Sequence, residues 1–240
     1  MKEGRLLRFK GTPFRLTALF EFQEASALSS VGRVTLTDSG PLPLMVRRLR
    51  TTTPALSTLS FRLPGSTPPG SYRGSAELAG EQIPIAVDVE PRSSVRFIPA
   101  EIAHRGKFVA GVSADVTLVN QGNVDVEIPA DDTFCVFDHG GVAKAFYRGL
   151  AEEPAAGKKR IDHIMDELAK AHGGLVRVTV TSGAGRLRPE EARTIAIDLH
   201  FSRRLSAGRT YRGAWEIAEA SLDVEIELTG KPASRKERHE

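Results

Sequence analysis

The densest grouping of chemistry-bearing side chains in the sequence is Asp131, Asp132, Cys135, Asp138 and His139. On a strand, Asp131, Cys135 and Phe137 share one side and Asp138 and His139 occupy the turn beyond, a set that offers a thiolate or a hard-metal site. The spacing argues against both. The histidines, His104, His139, His163, His172, His200 and His239, form no HxxxH pair, there is no CxxC, and no DxDxDG calcium loop is present. Neither metal nor cofactor is expected, and Cys135 reads as a structural cysteine buried between Phe134 and Phe137. Nucleophilic catalysis would need Cys135 or a serine beside a histidine and a carboxylate. His139 lies four residues on, but no GxSxG elbow or oxyanion nest accompanies it. Gly140-Gly141 and Gly183-Ala184-Gly185 lack the GxxxxGK[ST] arrangement that cradles phosphates. No catalytic residue is assigned, and the chain is not expected to be an enzyme.

Two basic clusters remain, Arg47, Arg48 and Arg50, and Lys158, Lys159 and Arg160. They suit either an anionic partner or the protection of an exposed strand edge. The second would open a helix with cations, which its dipole does not favour. The formal charge is only +3 and no aromatic residues interleave with the bases, so nucleic acid is not an expected partner. Trp215, the single tryptophan, reads as core packing or as a contact with a neighbouring segment rather than as a sugar-stacking platform.

The elements that would position these residues are strands, and the chain repeats itself. Tyr72-Arg73-Gly74 returns as Tyr211-Arg212-Gly213, followed each time by a strand, a tight connection and a strictly alternating strand. Ile83, Ile85, Val87 and Val89 then fall on Leu222, Val224, Ile226 and Leu228. A tyrosine just after a glycine turn is placed to bond back across the connection, so Tyr72 and Tyr211 are expected to form tyrosine corners. A second superposition sets Val34–Leu44 on Val116–Val126, with Gly40 and Gly122 as turn glycines. Pro41 and Pro43 make the returning strand of the first copy an edge strand in this reading.

Counted from those glycines, the later copy carries a long surplus that must lie between about residues 130 and 190. It contains one good helix pattern over residues 158–172, where Ile161, Ile164, Met165 and Leu168 share a face and Gly173-Gly174 ends the run. The fold expected is all-β: two tandem immunoglobulin-like β-sandwiches, at 1–91 and 95–230, the second with an inserted helix-containing segment and followed by a disordered tail at 231–240.

The run Val116 to Val126, the segment Arg188 to Arg193 and the two Tyr-Arg-Gly turns resemble the tandem bacterial immunoglobulin-like modules of exported and cell-surface proteins. That resemblance implies fold more than activity. It points to a noncatalytic structural or protein-interaction module, part of a cell-surface structure or larger assembly, with a protein partner. The insertion is the expected contact region, with Tyr147, Ile161, Ile164, Met165 and Leu168 as candidates. The alternatives are a carbohydrate- or ligand-binding module using Trp215 and Tyr147, or a chaperone-like protein whose edge strand captures a partner strand. The oligomeric state is left open. No apolar run approaches the roughly 20 residues of a membrane span. The compartment expected is periplasm or cell surface if a signal peptide has been removed, otherwise cytoplasm.

Overall fold

The computed structural model describes residues 6–21, 31–37, 42–48, 56–78, 80–107, 109–154, 156, 159–202 and 205–229. The chain divides into two units. The first holds residues 1–94 with 120–125 and 188–190, and the second holds 95–119, 126–187 and 191–240.

Seven strands build the first unit: β1 (Leu7–Thr12), β2 (Arg15–Glu21), β3 (Val31–Leu36), β4 (Leu42–Arg48), β5 (Leu56–Phe61), β6 (Gly70–Leu78) and β7 (Glu81–Val89). They close into a barrel in the order β1-β2-β5-β4-β3-β6-β7, with β1 parallel to β7 and the other pairs antiparallel. Alternation decides what faces in: Leu7 and Phe9, Leu16 and Ala18, Val34 and Leu36, and Ile85, Val87 and Val89 fill the core. β4 is not an edge strand, since it pairs with both β3 and β5. Pro43 lies in the half of the strand paired with β3, ahead of the pairing to β5 that begins at Met45.

The second unit contains β8 (Val95–Ile98), β9 (Glu101–Gly106), β10 (Gly111–Asn120), β11 (Val126–Ile128), β12 (Asp131–Asp138), α1 (Gly141–Ala151), α2 (Arg160–Ala171), β13 (His172–Ser182), β14 (Gly185–Leu187), β15 (Ala192–His200), β16 (Thr210–Ile217) and β17 (Ala220–Leu228). Eight strands run β8-β10-β15-β13-β12-β16-β17-β9, with β9 parallel to β17, and β11 pairs with β14 apart from them. The two units therefore share one immunoglobulin-like strand order. β10 takes the place of β2, β12 of β3, β13 of β4, β15 of β5, β16 of β6 and β17 of β7.

This order supports one sequence superposition and overturns the other. Tyr72 pairs with Val87 and Tyr211 with Ile226, at matching places in β6 and β16. Tyr72 donates its hydroxyl to the Pro68 carbonyl at 2.8 Å. The Tyr211 hydroxyl accepts the Ser206 N–H at 3.0 Å and donates to the Lys170 carbonyl at 3.2 Å. The glycines two residues on explain the signature: a methyl on Gly74 would collide with the Thr35 carbonyl oxygen of β3, and one on Gly213 with the Cys135 carbonyl oxygen of β12. By contrast Val34 lies on β3 and Val116 on β10, which are not counterparts. Gly122 sits beside the Arg92 carbonyl in the first unit, where its N–H bonds Asn120 Oδ1 at 2.9 Å. Gly40 lies outside the described residues.

Candidate interaction surface

The helices leave the sandwich between β12 and β13, which pair antiparallel from Asp131 with Thr179 to Phe137 with His172. β12 turns Phe134, Val136 and Asp138 inward and Thr133, Cys135 and Phe137 outward. Cys135 is thus exposed, not buried between the phenylalanines. Alternation puts Phe134 on the face opposite Cys135, so the two rings cannot enclose the thiol. After the β12 strand, Gly141 takes the left-handed φ of 61° that starts α1 without a side-chain cap.

α1 and α2 form a hairpin through small residues. Ala145 and Gly149 are the buried positions of α1, and a methyl on Gly149 would strike the Ile164 backbone, so the two helices approach closely there. Ile164, Glu167 and Ala171 are the buried positions of α2. Arg160 Nη1 donates to the carbonyls of Leu150 at 2.6 Å and Glu152 at 2.9 Å, closing the C-terminus of α1 from the start of α2. Arg160 is therefore committed within the hairpin.

A buried ionic cluster fastens the hairpin to the sandwich. Arg209, just before β16, reaches Asp138 Oδ2 and Glu167 Oε2, each at 2.8 Å. Lys170 Nζ lies 2.6 Å from the other Glu167 oxygen, and Arg148 of α1 lies 3.5 Å from Asp138. The Glu167 side chain is only 4% exposed and that of Arg209 14%. Burial pushes the Glu167 carboxyl up, but the hydrogen bonds from Lys170 and Arg209 outweigh it and hold it below the usual value. These charges satisfy one another. Their arrangement positions α1 and α2, and it leaves the reading of the hairpin to its outer side.

That side is apolar. Val142, Phe146, Tyr147 and Leu150 on α1, and Ile161 and Met165 on α2, are each between 48 and 70% exposed. Of these, sequence reasoning named Tyr147, Ile161 and Met165 as candidates. It missed Val142, Phe146 and Leu150, although their i, i+4, i+8 spacing was there to be read. Ile164 is buried against α1 and Leu168 half-buried, so neither belongs to the surface. Trp215 is buried, with Phe97 tilted against it at 5.7 Å and its Nε1 donating to Asp132 Oδ2 at 3.0 Å. It is not available to a ligand. Lys159 is exposed, while Arg50 and Lys158 lie outside the described residues; Arg47 and Arg48 are placed in β4 by backbone alone. Among the described residues, no group of three His, Cys, Asp or Glu could hold a metal ion, and no helix is long and apolar enough to cross a membrane.

No protein-family model matches the chain, and no curated protein matches it. Among solved structures, it is similar to a protein of unknown function from Porphyromonas gingivalis at 11% identity, covering 92% of this chain and 96% of that one, with a TM-score of 0.28. The S-layer protein SbsC, domains 4 and 5, gives 13% identity over 68% and 66% of the two chains, with a TM-score of 0.27. Dpr2, in its complex with DIP-Theta, gives 10% identity over 95% and 96%, with a TM-score of 0.28.

Proposed function

We propose that this chain is a noncatalytic interaction module whose contact surface is the outer face of the α1–α2 hairpin, and that it works as a piece of a larger assembly, such as a cell-surface structure. One observation carries the reading: six large apolar side chains stand exposed on a hairpin that a buried ionic cluster holds in place. A surface of this size costs solubility unless something covers it, and soluble monomers seldom keep one without a binding role. The strand-capture alternative lacks support in the first unit, where β1 pairs with both β2 and β7 and the barrel leaves no free edge among the described strands. The sugar-binding alternative loses Trp215 to the core.

The test is a photocrosslinking residue at Tyr147, compared with the same residue at Thr194 on the outer face of β15. Discrete protein adducts at Tyr147, lost when Phe146→Glu is added and not formed at Thr194, are the expected result. Equal labelling at both positions would refute the assignment of the surface.

A further inference from the structure

We propose that the hairpin face closes on a second copy of this chain, forming a two-fold dimer with a four-helix core. The inference rests on the interaction-module reading and names its partner. On α1 the stripe Val142-Phe146-Leu150 follows the buried pair Ala145 and Gly149 by one position. On α2 the pair Ile161 and Met165 follows by one position Arg160, which bonds the end of α1, and the buried Ile164. In an antiparallel pair, equal offsets of about 100° rotate both stripes toward the same side. The apolar residues therefore form one continuous two-helix face, which is half of a four-helix bundle.

The area fits a second copy. Six side chains, each 48 to 70% exposed, offer roughly 600 Å² per copy and roughly 1,200 Å² in all, the lower bound of a stable, specific interface. The polar rim is also self-complementary. Tyr147 presents a phenol on the outer edge of α1, and Asp162 an exposed carboxylate on the outer edge of α2. A two-fold axis that sets α1 over α2 of the other copy brings a donor to an acceptor twice, as an isologous interface requires.

Sedimentation equilibrium of the full chain, on the order of 1 to 100 μM, tests this directly. The wild type should show a reversible monomer–dimer equilibrium. The double variant Phe146→Glu/Met165→Glu should raise Kd by about 100-fold or more, with circular dichroism and Tm at dilute concentration unchanged because both side chains are exposed. Should that variant fail to fold, Asp162→Lys, which removes the rim acceptor and alters no apolar contact, should still weaken the dimer by about 5-fold or more. A wild type monomeric throughout, or a dimer indifferent to the foldable variants, overturns the proposal. So does Phe146-dependent binding to mixed phosphatidylcholine and phosphatidylglycerol vesicles by a monomeric chain. A monomer that still gives Phe146-dependent heterologous adducts from the Tyr147 probe overturns the second copy alone, whereas a silent probe in a monomer removes the interaction reading as well.

Discussion

Arg209 and Glu167 stand 2.8 Å apart where neither is more than 14% exposed, although 41 residues of chain, including the end of α2 and the whole of β13 and β15, separate them. This contact, shared with Asp138, is what makes the hairpin part of the sandwich rather than an appendage. Removing one member of a buried pair leaves the other charge desolvated and unmatched. Arg209→Ala is expected to destabilise the second unit by about 3 kcal/mol. Hydrogen exchange should show α1 and α2 losing protection together, because Asp138 also holds Arg148.

The same cluster gives the hairpin an acid limit. The Glu167 carboxyl titrates lower in the folded chain than in the unfolded one, so its contribution is present above about pH 4.3 and is lost as the pH falls through the folded value. Exchange protection in α2 should be level from neutral pH down to about pH 5 and decline below that. Glu167→Gln should lower protection at neutral pH and flatten the decline.

Gly74 and Gly213 do the same task in the two units, each admitting a carbonyl oxygen of the neighbouring strand. Gly74→Ala and Gly213→Ala should each cost about 1–3 kcal/mol, since backbone cannot yield as a side-chain tip can. Chemical denaturation of each variant measures this, and a loss below about 0.5 kcal/mol in both would break the equivalence.

Much of the scaffold was legible in the sequence because the final hairpin of each unit is strongly specified. Alternation over Ile85, Val87 and Val89 and over Val224, Ile226 and Leu228 places one face in each core, and a one-residue slip would expose it. The earlier superposition failed because a strand followed by a polar glycine turn occurs in any antiparallel sandwich; Val34 and Val116 share a local pattern and not a place. Measuring the surplus from those glycines then counted β12 and β13 as insertion, though they are sheet strands. α1 was missed although Val142, Phe146 and Leu150 recur every fourth residue, and Gly149 within it is there to let Ile164 approach. The ionic cluster had no sequence signal at all. Asp138, Glu167 and Arg209 are far apart along the chain and meet only after the strands are ordered.

Trp215 offers an inexpensive check on the core. Its indole is enclosed and bonded to Asp132, so emission should be blue-shifted, weakly quenched by iodide and unmoved by added oligosaccharides. Strong quenching would restore the ligand-binding alternative.

The central claim is that α1 and α2 are held firmly while their outer face stays uncovered in the isolated chain. Hydroxyl-radical footprinting of the dilute, monomeric protein measures this most directly. Phe146, Tyr147 and Met165 should oxidise rapidly while Tyr211 and Trp215 resist. Protection of Phe146 and Met165 in the dilute monomer would mean that the face is already packed within the chain, and would contradict the account.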